Sequence, residues 1–71
     1  MGQKQSIELL VRGNTYYEHD DFDMAIHSYT EAIKINPTFA LVYYYRARAF
    51  IMKGDLESAG RDYERAIELI L

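Results

Sequence analysis

Residues 22–37, FDMAIHSYTEAIKINP, decide the fold, because their pattern returns 34 positions later in residues 56–71, LESAGRDYERAIELIL. At this offset the identical pairs are Arg12 with Arg46, Asp21 with Asp55, Ala25 with Ala59, Tyr29 with Tyr63, Ala32 with Ala66, and Ile33 with Ile67. Chance does not keep small residues over small ones and aromatic residues over aromatic ones for a whole period. The chain therefore consists of one unit repeated twice.

Within each copy the apolar residues have helical spacing. Leu9, Gly13 and Tyr16 fall at i, i+4 and i+7, and a second stripe begins at Phe22 after the polar cluster EHDD. A break between two stripes is typical of a helical hairpin. The two copies predict four helices, at about residues 6–19, 22–35, 38–52 and 56–70.

Polar residues and proline indicate where these helices begin. Asp20 or Asp21 is expected to cap the second helix, and Asp55 the fourth, by accepting hydrogen bonds from free backbone N–H groups. Asn36 is the predicted N-cap of the third helix, with Pro37 at its first position, where a missing N–H is harmless. Ser6 is a candidate N-cap of the first helix.

Composition excludes several classes of function. The 71 residues carry a net charge of −3, so no broad basic field is available for nucleic acid or anionic lipid. There is no cysteine for a disulfide or a thiolate metal site, and no apolar run long enough for a membrane span. We expect a soluble, cytoplasmic protein that binds neither nucleic acid nor membranes.

The spacing of small and aromatic residues resembles the tetratricopeptide repeat family. The residues that carry the resemblance are Leu9, Gly13, Tyr16, Ala25, Tyr29, Ala32 and Pro37, followed by Tyr43, Ala47, Phe50, Ala59, Tyr63 and Ala66. The resemblance implies an all-α fold of four antiparallel helices in a short right-handed superhelical array. It implies a single domain over residues 1–71, with repeats at about 6–39 and 40–71. The function it implies is protein binding, as a scaffold or adaptor.

In this family the first helix of each repeat lines a concave groove that holds a peptide. The groove residues implied here are Leu10, Asn14, Tyr17, Tyr44, Tyr45, Arg48 and Ile51. Tyr43 instead shares the hairpin stripe of Ala47 and Phe50, so it is predicted to be core. For Tyr44 and Tyr45, half-buried packing between neighbouring helices is an equal alternative, and both roles can hold at once.

The best-known family ligand is the acidic C-terminal tail of a cytosolic chaperone, which Lys, Asn and Arg side chains grip. Only Asn14 matches that clamp, because the lysine one turn earlier is Leu10 and the second asparagine is Tyr45. Arg48 alone is expected to bind a carboxylate weakly. The sequence therefore favours an apolar or aromatic peptide over an acidic one.

Self-association is the alternative function. Ile26 and Ile33 lie where the next repeat should pack, whereas their counterparts in the second copy have no following repeat in this sequence. The residues expected to meet another copy are Gly60, Ile67, Ile70 and Leu71. Burial of each large side chain is worth about 1.5–3 kcal/mol. A homodimer or higher oligomer is expected.

Two short patterns have weaker meanings, and no enzyme activity or cofactor is predicted. Asp23 and His27, at i and i+4, could share a metal ion, but spacing fixes no third ligand. Gly2 with Ser6 matches the myristoylation pattern, which also arises by chance. No nucleophile with a base, and no phosphate-binding glycine loop, is suggested by the spacing.

Overall fold

A computed structural model describes residues 2–71. Its helices are α1 (Gly2–Glu18), α2 (Phe22–Ile35), α3 (Ala40–Met52) and α4 (Leu56–Ile70). α1 packs against α2, α3 against α4, and α2 against α3, with a smaller contact between α1 and α3. The prediction of an all-α fold of two helical hairpins is confirmed. Within residues 2–71, no helix is both long and apolar enough to cross a bilayer.

Aspartate residues begin the second helix of each hairpin, as predicted. Asp21 Oδ1 accepts the N–H of Met24 at 3.2 Å, and Asp55 Oδ1 accepts that of Ser58 at 3.1 Å. Hydrogen bonds from the Ser58 hydroxyl and N–H lower the pKa of Asp55. The turn residue before each cap has positive φ, 62° at Asp20 and 83° at Gly54. Glycine adopts this conformation without steric cost, and aspartate tolerates it.

The other two predicted N-caps are wrong. α1 already begins at Gly2, so Ser6 lies inside the helix, where its hydroxyl donates to the Gln3 carbonyl at 2.9 Å. Asn36 ends α2 instead of starting α3, because its N–H donates to the Ala32 carbonyl at 2.9 Å. α3 begins only at Ala40, without a side-chain cap.

Small residues bring the helices of each hairpin close together. Gly13 of α1 faces Tyr29 of α2, and a Cβ at Gly13 would lie 2.6 Å from Tyr29 Cδ1. Tyr29 is fully buried, with the buried residues Ala25 and Ala32 on the same helix. Tyr43 is buried too, and its hydroxyl donates to the Pro37 carbonyl at 2.8 Å, so the prediction that it is core is confirmed.

A buried ion pair joins the second hairpin, and sequence reasoning did not find it. Arg46 Nε and Nη2 donate to the two carboxylate oxygens of Asp62 at 2.7 and 2.8 Å. Arg46 Nη1 donates to the Thr30 hydroxyl of α2 at 3.1 Å. This fork therefore links α3 both to its own partner helix and to the preceding repeat.

Candidate functional site

A concave cavity of about 440 Å³ lies between α1 and α3. The residues that line it, which we call the groove, are Asn14, Tyr17, Glu18, Asp20, Tyr45 and Arg48. Four of them were predicted from the sequence, namely Asn14, Tyr17, Tyr45 and Arg48. They meet because helical spacing places each pair on the same side of its helix.

Arg48 is held between two tyrosine rings at the centre of the groove. Its guanidinium carbon lies 4.8 Å from the ring centroid of Tyr17 and 5.6 Å from that of Tyr45. Stacking of this kind contributes about 0.5–1 kcal/mol at a partly exposed site. No ion pair within residues 2–71 includes Arg48. Its N–H donors are therefore available to a bound ligand.

Asn14 is fixed by a hydrogen bond to the core. The Tyr29 hydroxyl donates to Asn14 Oδ1 at 2.6 Å, which leaves the amide NH₂ group as a donor on the groove side. Burial raises the pKa of Tyr29 to about 12, because the phenolate would lose its hydration. Tyr29 is thus neutral at physiological pH and able to donate this bond.

Two carboxylates were missed by sequence reasoning. Glu18 and Asp20 both line the groove, so its charged groups are two carboxylates and one guanidinium. Glu18 falls one turn after Asn14, and that spacing was the available signal. Asp20 belongs to the turn after α1, where its positive φ could not be deduced from helical periodicity.

Three predicted groove residues lie elsewhere. Leu10 is only 7% exposed and belongs to the core cluster, so it presents almost no surface to a ligand. Tyr44 packs against Tyr63 of α4, with ring centroids 5.8 Å apart. Ile51 is exposed but does not line the groove. Tyr45 has both roles that the sequence left open, since it lines the groove and stacks on Tyr29 with centroids 6.3 Å apart.

A second cavity, of about 470 Å³, lies between α3 and α4 on the side away from the first repeat. Its lining residues, which we call the terminal face, are Ala40, Leu41, Tyr44, Tyr63, Ala66, Ile67 and Ile70. Ile67 and Ile70, two of the predicted self-association residues, line it. Gly60 and Leu71, the other two, are exposed and do not. The terminal face is apolar apart from its tyrosine hydroxyls.

The Asp23 and His27 pair does not form part of a larger cluster. Within residues 2–71, no three His, Cys, Asp or Glu side chains are grouped closely enough to hold a metal ion. Asp23 instead pairs with Lys53 of the second repeat.

Known proteins similar to this chain include three that belong to different organisms. The chain is 39% identical over 62 residues to the small glutamine-rich tetratricopeptide repeat-containing protein 2 of Saccharomyces cerevisiae, covering 87% of this chain and 18% of that protein. It is 41% identical over 69 residues to the Hsp70-Hsp90 organising protein of Plasmodium falciparum, covering 97% and 11% respectively. It is 36% identical over 66 residues to human serine/threonine-protein phosphatase 5, covering 93% and 13%.

The chain thus spans less than a fifth of the length of these relatives. Two family models match it, one described as TPR repeat over residues 13–53 and one as tetratricopeptide repeat over residues 40–70. Repeats of this kind are protein–protein interaction modules. Together with the two helical hairpins, these matches show that the chain belongs to the tetratricopeptide repeat family.

Proposed function

We propose that this module holds a segment of another polypeptide in the groove, and that the segment carries basic and aromatic side chains. The observation that supports this most is the meeting of Tyr17, Tyr45 and Arg48 with two carboxylates in one open cavity. The rings supply flat apolar surface, and the carboxylates of Glu18 and Asp20 attract cations.

Main-chain recognition would come from fixed donors. Stacking on the rings leaves the N–H edge of Arg48 to donate to a peptide carbonyl, and the bond from Tyr29 orients the Asn14 amide. Because both groups are already held in place, binding orders few protein side chains.

An acidic peptide suits the groove poorly. Burial of Leu10 puts an apolar core residue where the chaperone-tail clamp has a lysine, and Glu18 and Asp20 would repel a second carboxylate. Like charges at close range disfavour binding. We therefore expect a peptide ending in acidic residues to bind no tighter than a scrambled control of the same composition.

Calorimetric titration with synthetic peptides tests the proposal. A peptide with alternating basic and aromatic residues should bind about tenfold tighter than one in which the basic residues are replaced by glutamate. Glu18→Gln should remove most of that difference. The matched control is Glu8→Gln, the same change at an exposed position of α1 outside the groove, and it should leave both affinities unchanged.

Arg48→Ala provides a second measurement. It should weaken peptide binding while shifting the free energy of unfolding by no more than about 1 kcal/mol, because Arg48 is only half-buried and unpaired. Equal binding of the two peptides, or tight and sequence-specific binding of the acidic one, would contradict the proposed ligand class.

Self-association through the terminal face is a second candidate function. Ile67 and Ile70, at 55% and 73% exposure, border an apolar cavity that no other helix of residues 2–71 covers. Contiguous apolar surface of this kind favours protein contacts. Both functions concern polypeptide partners, and the net charge of −3 supports neither nucleic acid nor anionic membranes. A cytoplasmic location stays a prediction.

A further inference from the structure

We infer that two copies of this chain pack through their terminal faces about a two-fold axis, so that assembly stops at a dimer. The inference rests on the self-association proposed above and adds its geometry. A chain with one apolar end could assemble head to tail into an open series, or tail to tail into a closed pair. The chemistry of the two ends distinguishes these arrangements.

The first repeat shows what the terminal face accepts. At the 34-residue offset, Tyr44, Tyr63 and Ala66 correspond to Leu10, Tyr29 and Ala32. These three counterparts are buried. They belong to the cluster formed where α3 packs on the first repeat. The terminal face is therefore built like a surface that a mainly apolar helix covers.

The covering surface of α3 is apolar. Val42 and Ala49 are fully buried, and Tyr45 stacks on Tyr29 with ring centroids 6.3 Å apart. The spacing of these three residues is i, i+3 and i+7, so they share one side of the helix.

The corresponding side of α1 is mostly polar. At the 34-residue offset its residues are Glu8, Val11 and Thr15, and all three are exposed. In a head-to-tail contact, Glu8 would replace Val42 against apolar side chains. Burial of a carboxylate without a partner is costly. The N-terminal end of this chain is therefore a poor cover for the terminal face.

The surface of this chain that matches the terminal face in chemistry is the terminal face itself. Along α4 it runs from Tyr63 to Ile70, so a two-fold axis through its middle brings Ile70 of each copy over Tyr63 of the other. With that axis perpendicular to α4, the two α4 helices run antiparallel and their dipoles attract. Leu41 and Tyr44 of α3 flank the contact.

Sedimentation from low to high micromolar concentration tests the inference with two matched variants. Ile67→Lys and Val11→Lys introduce the same charge at almost equal exposure, 55% and 57%, on the terminal face and on α1 respectively. The wild type should sediment as monomer and dimer only. Ile67→Lys should raise the dimer dissociation constant by roughly 100-fold, and Val11→Lys should leave it unchanged.

Each other outcome overturns a defined part. A wild type that stays monomeric refutes self-association itself, and with it the dimer. If that monomer binds a synthetic peptide of residues 38–52, the terminal face takes a repeat-like helix from another chain instead. Trimers and larger species, or a loss of association in Val11→Lys, leave self-association standing but refute the two-fold geometry. A dimer that Ile67→Lys does not weaken uses another surface.

Discussion

The two repeats place the same pattern of residues in opposite surroundings. Leu10 is 7% exposed beneath α3, whereas its counterpart Tyr44 is 44% exposed on the terminal face. Tyr29 is fully buried, and its counterpart Tyr63 is half-buried beside a cavity. One apolar pattern therefore gives a core where a further helix covers it and a candidate binding surface where none of the described helices does.

The repeats also differ in how their helices are joined. In the first, a tyrosine hydroxyl bonds an asparagine across the hairpin, and a glycine allows the tyrosine ring to lie against the helix backbone. In the second, the ion pair of Arg46 and Asp62 joins the helices. Arg12 and Ser28 occupy the equivalent positions of the first repeat, so the ion pair has no counterpart there. The two hairpins therefore depend on different interactions.

Removal of the ion pair is expected to have the largest effect. Asp62→Ala leaves the Arg46 guanidinium mostly buried without its carboxylate, which costs about 3–5 kcal/mol. The free energy of unfolding from urea denaturation measures this loss. For a domain of this size such a loss approaches the whole stability, so Asp62→Asn is a milder second variant.

The matched control is Arg12→Ala, the exposed equivalent of Arg46, and it should change stability by less than about 0.5 kcal/mol. The double change Arg46→Met with Asp62→Leu should cost less than Asp62→Ala alone, since it removes both charges together. Additive costs in the double variant would show that the two residues act independently.

The helical glycines provide the next comparison. Gly13→Ala forces a Cβ into the ring of Tyr29, which is fully buried and held by Asn14, so it should cost about 1–3 kcal/mol. Gly60→Ala places its Cβ in open space and should stabilise α4 by about 0.5–1 kcal/mol.

Both changes are best made on an Ile67→Lys background, so that association through the terminal face does not contribute. The midpoint of urea unfolding then reports each variant directly. A stabilising Gly13→Ala would mean that the two helices separate easily, and that the close approach of α1 and α2 is not required.

Much of the fold follows from the sequence because helical periodicity and repetition are strong signals. The spacing predicted four helices, and two of them, at 22–35 and 56–70, have the predicted bounds. The starts of α1 and α3 differ because a capping residue type is only locally suggestive. Asn36 has the chemistry of an N-cap, but its N–H closes the preceding helix.

The groove was only partly predictable. Periodicity places Asn14 and Tyr17 on one side of α1, and Tyr45 and Arg48 on one side of α3. It does not fix how far one repeat is rotated against the next. That rotation puts Leu10 beneath α3 and Tyr44 beside Tyr63, both outside the groove. The Arg46 and Asp62 contact depends on the same tertiary geometry.

The smallest expected effect compares the two equivalent tyrosines. Tyr29→Phe removes the donor to Asn14 Oδ1 and should cost about 1 kcal/mol. Tyr63→Phe should cost less, because the counterpart of Asn14 is Arg48, which stacks on Tyr17 and Tyr45 instead.

The Tyr29 contribution should also disappear at high pH. Burial raises the pKa of this phenol to about 12 in the folded chain, from the usual 10.0. The folded state therefore keeps the proton where the unfolded chain has lost it, and stability falls as pH rises from 10 towards 12. Urea unfolding of the wild type and of Tyr29→Phe at pH 8 and at pH 11 should show a smaller difference at the higher pH. A constant difference would mean that Tyr29 ionises as readily in the folded chain as in the unfolded one.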